Sequence, residues 1–485
     1  MTTGVGTTLT MGYDGLRRLT SVTGGPVSRQ YTYRDIDSTK TTMQVASVTS
    51  GGQRYGYTYD SMGNIATFSA PGKGTVTSTY DNQGQLLKAA GDTTYTYTYD
   101  GAGNILTASD GTVTHSYTYG DTDWKDLLTG FDGQAIIYDA IGNPTSYCNG
   151  TRWAMTWENG RSLATASDGT NSLSFAYDAN DLRTSKTVNG VSYRYYYAGG
   201  RLMRMTWGTN TIDFFYDANG TPYAMKYNGT AYYYITNLQG DVMRIVDASQ
   251  NIVTSYDYDP YGKVISATGT LANINPLRYR GYVYDQETGF YYLQSRYYDP
   301  TIGRFINLDA YVSTGAGIIG YNMFAYCNGN PVSATDNEGS SSKSLADIWV
   351  GSMGWLPYAD GPIPVTDAIF AGVFGILYVI DAAQNILYAK GASKAGKSSS
   401  SLAGSAATPP DPNDKNNRNW QKVNEKYLEK RLAEQGTDPH QLKYDYLGQK
   451  VKVKHYDVYV DKATGQLAIF QKSTGNLVVI TDYFI

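Results

Sequence analysis

A tyrosine–aspartate dipeptide followed by a turn sequence recurs through the first half of this chain and constrains its fold more than any other feature. From Tyr59 onward the dipeptide returns after 21, 19, 39, 39, 39 and 42 residues, and an earlier copy begins at Tyr13. The spacing indicates a repeat of about 20 residues in which every second copy is degraded. The degraded copies begin at Trp157, Tyr196 and Tyr234.

Each repeat unit predicts a β-hairpin. The unit Tyr55–Phe68 reads YGYTYDSMGNIATF, so alternating tyrosines run into Asp-x-x-Gly-Asn and then into a second apolar segment. Period-two alternation is typical of strands, and Asp, Gly and Asn are typical of tight turns. With 47 Tyr, 53 Gly and only 17% charged residues, the composition also favours strands. A lone hairpin is marginal in water, so neighbouring hairpins must pack together.

The tyrosines have two interpretations. We expect them to pack between strands, with their hydroxyls bonded to water or to neighbouring strands. The alternative is a surface on which tyrosine rings stack against carbohydrate. No subset of the tyrosines differs from the repeat, so the sequence names no carbohydrate site.

The repeats end in a tyrosine-dense stretch, RYRGYVYDQETGFYYLQSRYYDPTIGRF, at Arg278–Phe305. This stretch resembles the core motif that ends the repeat region of RHS (YD-repeat) proteins, most of which deliver a variable toxin carried behind the motif. The resemblance implies a sheet that spirals into a hollow shell, sealed by the core, with the C-terminal segment held inside. We expect this stretch to mark where the repeats end and to perform no chemistry itself.

The predicted fold is mostly β: a sheet of YD-repeat hairpins spiralling into a partial shell, then an apolar linker region and a small α+β C-terminal domain. We assign the repeats to residues 1–275, the core to 276–340, an apolar pre-toxin segment with a Ser/Ala/Pro linker to 341–410, and a toxin-like domain to 411–485. The uncharged run Ala368–Ile380 has 13 residues, too few to cross a bilayer. It predicts a buried segment, or alternatively one that enters a target membrane during delivery.

Two aspartates at the end of the core are candidates for self-cleavage. In RHS relatives that cut themselves, an aspartyl-type reaction releases the C-terminal part just past Asp-Pro-x-Gly. Asp309 stands in the place of the first family aspartate, and Asp336 in that of the second. Two neighbouring carboxyl groups can act as acid and base. Asn337 and Ser340 replace the family's Pro and Leu, and the alternative is that both aspartates only shape turns.

The C-terminal 75 residues predict one helix and three antiparallel strands. An apolar stripe indicates an amphipathic helix over residues 419–434. Its members are Trp420, Val423, Tyr427, Leu428 and Leu432. Strand patterns separated by Gly-containing turns cover residues 451–461, 466–471 and 476–485.

Two histidines in this tail are candidates for catalysis. Alternation along the first predicted strand puts His455 and Asp457 on one face, where a carboxylate beside an imidazole favours general-base chemistry. Together with His440 and Lys454 they would suit a metal-independent ribonuclease, in which one group takes the 2′-hydroxyl proton and another assists the leaving group. The alternative without catalysis is that His455 and Asp457 are solvated surface residues.

The tail resembles the small domains called polymorphic toxin type 33, many of which are thought to be RNases. The similar residues lie in DPHQLKYDYLGQKVKVKHYDVYVDKATGQLAIF and in the final TDYFI. Lys472, Thr481 and Tyr483 are then further, unranked candidates. The resemblance implies RNA as the substrate and a cognate immunity protein as partner. Alternatives are a toxin of another chemistry, or a non-enzymatic surface or wall-associated protein that binds carbohydrate.

Charge and cysteine content add little to the functional assignment. The net charge is −4, whereas residues 411–485 carry 12 Lys+Arg and 10 Asp+Glu, which gives +2 there. The two cysteines, Cys148 and Cys327, form no legible disulfide framework or zinc motif, and we expect no cofactor. The N-terminal residues lack the pattern of a secretory signal. We expect a longer form to be secreted or associated with the cell surface.

Overall fold

The computed structural model describes residues 6–38, 40–309, 321–336, 339, 343–344, 380–381, 420–422, 428, 432, 456–461, 466–471 and 477–484. The chain divides into two compact units, Met1–Ala395 and Gly396–Ile485. The boundaries expected near residues 275, 340 and 410 remain predictions.

The first antiparallel sheet follows the chain, with each strand bonded to the next. Its strands are β1 (Thr10–Tyr13), β2 (Leu19–Thr23), β3 (Arg29–Asp35), β4 (Lys40–Ser50), β5 (Gln53–Tyr59), β6 (Ile65–Ser69), β7 (Val76–Tyr80), β8 (Leu86–Ala90), β9 (Thr94–Tyr99), β10 (Ile105–Ser109), β11 (Thr114–Thr118), β12 (Gly130–Phe131) and β13 (Gln134–Ala135).

The second antiparallel sheet repeats this sequential order. Its strands are β14 (Ile137–Tyr138), β15 (Pro144–Cys148), β16 (Arg152–Glu158), β17 (Ser162–Ser167), β18 (Ser172–Tyr177), β19 (Arg183–Val188), β20 (Val191–Ala198), β21 (Arg201–Trp207), β22 (Asn210–Tyr216), β23 (Pro222–Tyr227), β24 (Thr230–Thr236), β25 (Val242–Val246), β26 (Ile252–Tyr258) and β27 (Val264–Gly269). The predicted array of β-hairpins is confirmed.

The core segment that follows is built from short elements. It contains β28 (Val283–Tyr284), β29 (Tyr291–Tyr292), β30 (Tyr297–Asp299), β31 (Arg304–Phe305), β32 (Ala334–Thr335) and β33 (Lys343–Ser344), with 3₁₀ turns at Tyr279–Gly281 and Cys327–Gly329. Strands β28 to β31 form one small sheet, and β32 pairs with β33. A further strand, β34 (Ile380–Asp381), pairs with β4.

Where a repeat keeps the Asp-x-x-Gly-Asn sequence, the aspartate closes the turn. The Asp60 carboxylate accepts hydrogen bonds from the backbone N–H groups of Met62 at 2.9 Å and Asn64 at 2.8 Å, and from the Asn64 side-chain amide at 3.0 Å. Gly63 has φ of 86°, a left-handed conformation that glycine adopts without strain. The Asp-x-x-Gly-Asn sequence therefore fixes both turn geometry and strand register.

The tyrosine of each repeat ties its strand to the preceding one. Among the described residues, nine tyrosine hydroxyls donate to a backbone carbonyl 10 to 16 positions earlier, at 2.7 to 3.0 Å. The donors and acceptors are Tyr33 and Leu19, Tyr59 and Val45, Tyr80 and Ile65, Tyr99 and Leu86, Tyr119 and Ile105, Tyr138 and Leu128, Tyr177 and Leu163, Tyr216 and Leu202, and Tyr258 and Val242. Every acceptor belongs to a buried apolar residue. We call this set the tyrosine ladder.

The core segment is held to the second sheet by a buried cluster of charges. The Arg183 guanidinium binds both carboxylate oxygens of Asp285, and Lys186 donates to Asp285 at 3.0 Å and to Glu287 at 2.6 Å. Burial alone would raise the pKa of Asp285, but Arg183 and Lys186 lower it below its ordinary value. Two cations therefore balance two anions, of which Asp285 is fully buried and Glu287 is partly exposed.

A degraded repeat supplies a second attachment. At the turn after β24, Asn237 occupies the usual aspartate position and Asp241 the usual asparagine position, and their side chains remain bonded at 2.6 Å. The exchange leaves the Asp241 carboxylate free to bind Arg280 of the core, at 2.9 Å. Arg29 of β3 binds Asp217, in the turn between β22 and β23 of the second sheet, at 2.6 Å, which joins the two sheets.

The described residues of the second unit include a sheet in the order β35 (Trp420–Lys422), β36 (Tyr456–Asp461), β37 (Gln466–Gln471) and β38 (Leu477–Phe484). Leu428 and Leu432 are helical and buried, as expected. The predicted helix start at residue 419 is wrong, because Trp420–Lys422 pair with β36 and satisfy its backbone edge. Val423 and Tyr427, together with most of the run Ala368–Ile380, lie outside the described residues. None of the helices described for this chain is long and apolar enough to cross a membrane.

Removing one rung of the tyrosine ladder should destabilise the sheet. The variant Tyr216→Phe loses its hydrogen bond to Leu202, and we expect the free energy of unfolding to fall by about 1 kcal/mol. Urea denaturation of the full chain measures the change. The control is Tyr196→Phe on β20, two strands away in the same sheet, where the ring is 49% exposed and the stability should not change. Equal effects of the two variants would contradict a role for the ladder.

A buried carboxyl group in β30 should make stability depend on pH. Asp299 is 1% exposed and accepts hydrogen bonds from Tyr147, Asn149 and the Thr301 backbone. Burial raises the pKa of Asp299 from 3.8 to about 6, against the lowering effect of these donors. The folded state therefore holds this proton at pH values where the unfolded chain has lost it.

This proton stabilises the fold fully below pH 3.8, and the stabilisation is lost as pH rises through about 6. Between pH 4 and pH 7 the wild-type chain should lose about 3 kcal/mol of unfolding free energy relative to Asp299→Asn, which cannot titrate. Urea denaturation across this range measures the difference between the two curves. Parallel curves would show that Asp299 titrates normally.

Candidate functional site

The predicted site residues fall into two groups. Asp309 and Asp336 are described and buried, at 4% and 2% exposure. His440, Lys454, His455 and Lys472 lie outside the described residues. Asp457 lies within β36, and Thr481 and Tyr483 lie within β38. The geometry of a candidate site can therefore be built for the core aspartates.

Short core elements position the two aspartates. Asp309 follows β31, and its backbone N–H donates to the Met323 carbonyl at 3.0 Å. Asp336 directly follows β32, and its backbone N–H donates to the Tyr282 hydroxyl at 3.0 Å. Each residue is thus fixed through its main chain.

Arg296 brings the two carboxylates together. Its Nη2 atom lies 2.8 Å from Oδ2 of Asp309 and 3.6 Å from Oδ2 of Asp336. All three side chains are about 95% buried or more. Two residues that are 27 positions apart in sequence therefore contact the same guanidinium.

The guanidinium of Arg296 is itself held from several sides. It lies over the Phe305 ring, with Cζ 3.5 Å from the ring centroid, and Nη1 donates to the Met323 carbonyl at 2.9 Å. Its Nε donates to the Gly339 carbonyl. Burial lowers the pKa of Arg296 to about 10, although Asp309 and Asp336 act in the opposite direction. The cation therefore remains charged near neutral pH.

Arg296 changes the electrostatics expected from the sequence. Two carboxylates alone would repel each other, whereas a shared cation offsets this repulsion. The sequence reasoning missed Arg296 because it lies in the tyrosine-dense stretch, which was expected to perform no chemistry. Its position between two tyrosine-rich strands was the available signal, since a buried arginine among aromatic residues requires an anionic or π partner.

A buried thiol lies close to this cluster. Burial raises the pKa of Cys327 well above its ordinary value, and the charge of Asp336 adds to the effect. The thiol therefore stays protonated and is a poor nucleophile. In the part of the chain that is described, no three His, Cys, Asp or Glu side chains are grouped as metal ligands.

The repeat fold and the core match a known family. The family model described as Teneurin YD-shell matches residues 73–331. The chain belongs to the teneurin YD-shell family. The match confirms the sequence resemblance to YD-repeat proteins. It ends before the tail, so the resemblance of residues 411–485 to a toxin domain remains a prediction.

Relatives that are named for an activity include tRNA nucleases and a DNA deaminase toxin. The tRNA nuclease WapA of Bacillus subtilis strain 168 is 32% identical over 371 residues, which covers 64% of this chain and 16% of the relative. The tRNA(Glu)-specific nuclease WapA of Bacillus subtilis subsp. natto is 36% identical over 220 residues, with 44% and 9% covered. The double-stranded DNA deaminase toxin A of Burkholderia cenocepacia is 30% identical over 132 residues, with 27% and 9% covered. The chain thus spans a small part of each.

Solved structures share the fold. The crystal structure of TcdB2-TccC3-Cdc42 superposes with a TM-score of 0.57 at 20% identity and covers 70% of this chain and 19% of that one. The structure of TcdB2-TccC3 without its hypervariable C-terminal region gives a TM-score of 0.56 at 20% identity, with 68% and 19% covered. Identity this low supports the YD-shell fold alone.

Proposed function

We propose that this chain is the part of a toxin-delivery protein that carries the toxin, and that it releases its C-terminal part by cutting its own backbone. The observation that carries the proposal is the convergence of Asp309 and Asp336 on Arg296. Both aspartates match residues of a self-cleaving family. A buried aspartate pair at the end of the core suits hydrolysis of a peptide bond there. A longer form would act outside the producing cell.

The proposed chemistry divides acid and base roles between the two carboxyl groups. One carboxylate takes a proton from water, and the other, protonated, donates to the amide nitrogen that leaves. Arg296 holds both side chains in place and offsets the charge that builds up between them. The surrounding protein excludes bulk water, which strengthens these interactions.

Self-cleavage predicts two fragments from the purified full chain. Asp309→Asn and Asp336→Asn should each leave the chain whole, because loss of an acid or a base slows such a reaction about 10²-fold or more. Denaturing gels and intact mass measure the result. Asp213→Asn is the control, since Asp213 pairs with Arg204 on the surface and should not affect cutting. A single full-length band in the wild type, unchanged by Asp336→Asn, would refute self-cleavage.

For the released part, we propose a ribonuclease that uses His455 with Asp457, assisted by His440 and Lys454. In its support, relatives that share the shell region are named tRNA nucleases, and another is named a DNA deaminase toxin. Relatives that share the shell region but are named for different activities are consistent with a variable C-terminal toxin. RNA would be the substrate, and an immunity protein made by the producing cell would be the partner that blocks it.

The second compact unit, Gly396–Ile485, should arrest growth when produced alone in bacterial cytoplasm. His455→Ala should restore growth and abolish RNA degradation, because the proposed general base is lost. Lys422→Ala, a change in another strand of the same sheet, should remain toxic. Electrophoresis of tRNA from arrested cells tests the substrate. Normal growth despite accumulation of the intact fragment would eliminate the toxin hypothesis.

A further inference from the structure

The tyrosine ladder is interrupted on two strands of the second sheet. On β24, Thr236 stands where the ladder residues Tyr216 and Tyr258 stand on β22 and β26. On β20 the tyrosine is kept as Tyr197, but its hydroxyl is buried and has no hydrogen-bond partner among the described residues. The interruptions lie on either side of the bond from Tyr216 to Leu202. A side chain and two hydrogen bonds that the repeat usually supplies are therefore missing here.

The carbonyl that a tyrosine at position 236 would bind has another donor. Pro222 lies 14 positions before Thr236, as Leu202 lies 14 positions before Tyr216. Threonine is too short to make this bond, and Arg29 Nη2 donates to the Pro222 carbonyl at 2.6 Å. The Thr236 hydroxyl is buried and has no partner in the described part of the chain. The lost tyrosine thus leaves space in the sheet while the carbonyl stays satisfied.

A cavity of about 850 Å³ lies at these interruptions. Its walls come from β1, β3, the core segment and the turns after β20, β22 and β24. Cavities of this size hold small molecules. No aspartate or glutamate is among the described residues that form its walls. Six tyrosines line it: Tyr13, Tyr31, Tyr197, Tyr216, Tyr282 and Tyr292.

The turn after β20 brings an unpaired cation to this cavity. Ala198 replaces the aspartate that closes the intact turns, and Arg201 replaces their asparagine. Within the described ranges, Arg201 has neither a hydrogen-bond partner nor an ion-pair partner. Its guanidinium lies against Gly220, where an added Cβ would be 2.7 Å from Cζ and 2.8 Å from Nε. The side chain is therefore held in place while its charge is unbalanced.

The second arginine of the cavity does not share this property. Arg280 lines the same walls, but Asp241 balances its charge at 2.9 Å. The cavity as a whole therefore favours an anion at Arg201. A guanidinium binds phosphate or carboxylate oxygens through parallel N–H donors. Tyrosine rings favour a flat ring, because aromatic groups stack on one another and on nucleic-acid bases.

We propose that this cavity binds a small organic anion that carries a planar ring, of the class of the nucleoside monophosphates. Arg201 binds the phosphate, and the tyrosine walls hold the base. The space for the ligand is the space that Thr236 leaves in the tyrosine ladder. The inference depends neither on self-cleavage at Asp309 and Asp336 nor on an activity of the C-terminal part.

Calorimetric titration of the full chain with adenosine 5′-monophosphate measures the binding. Adenosine offers the ring without the anion, and inorganic phosphate offers the anion without the ring, so each should bind at least about 10-fold more weakly. Arg201→Gln should weaken nucleotide binding about 10-fold or more, since hydrogen bonds to a charged group are lost. The control is Arg194→Gln, which removes another exposed arginine outside the cavity and should leave the affinity unchanged.

A second variant tests the position of the ligand. Thr236→Tyr restores the ladder residue and fills part of the cavity, so it should abolish nucleotide binding while the unfolding midpoint in urea is kept. If this variant does not fold, the comparison of Arg201→Gln with Arg194→Gln decides the inference.

Four results would overturn the inference. The first is no binding of the nucleotide at millimolar concentration. The second is binding of phosphate or adenosine as tight as that of the nucleotide, which would remove the need for a joined ring and anion. The third is equal weakening by Arg201→Gln and Arg194→Gln, which would indicate general attraction to positive charge. The fourth is full binding by a folded Thr236→Tyr variant, which would place the ligand elsewhere.

Discussion

The hydrogen bond from each repeat tyrosine to the carbonyl of a buried apolar residue one strand back is the interaction on which the sheets depend. This bond links the turn sequence of one repeat to the tyrosine of the next, because the acceptor is in most cases the first apolar residue after the preceding turn. The turn sets the register, the apolar residue enters the core, and the tyrosine of the next repeat satisfies the carbonyl. Buried backbone carbonyls must be satisfied, so losing any of the three affects the others.

Two places where the repeat departs from its pattern carry attachments of the core. The exchange of Asn237 and Asp241 keeps the turn closed and turns a carboxylate toward Arg280. Charges on β19 similarly bind Asp285. Sequence degeneration at these positions therefore reflects a second set of contacts. These contacts fix the core against the second sheet, and the fixed core in turn holds Asp309, Asp336 and Arg296 in one site.

Local patterns predicted much of the fold, and long-range contacts were harder to predict. The Asp-x-x-Gly-Asn turns and alternating tyrosines identified the hairpins because both signals act within one repeat. The aspartate pair came from the family resemblance. Arg296 was missed because no local period indicates which buried side chains meet across the core. The error at Trp420–Lys422 has a related cause: a short apolar stripe fits a helix, but pairing with β36 makes it a strand.

The tyrosine ladder also restricts how such a chain can change in length. Within the sheets, the tyrosine of one hairpin must meet the carbonyl of the hairpin before it, so insertions and deletions are tolerated as whole units of about 20 residues. A change of one residue inside a strand would turn its buried face to water. Hairpins that carry Arg183, Asp217 or Asp241 are fixed by distant partners as well. Growth or shortening of the shell is therefore expected in the hairpins that touch only their neighbours.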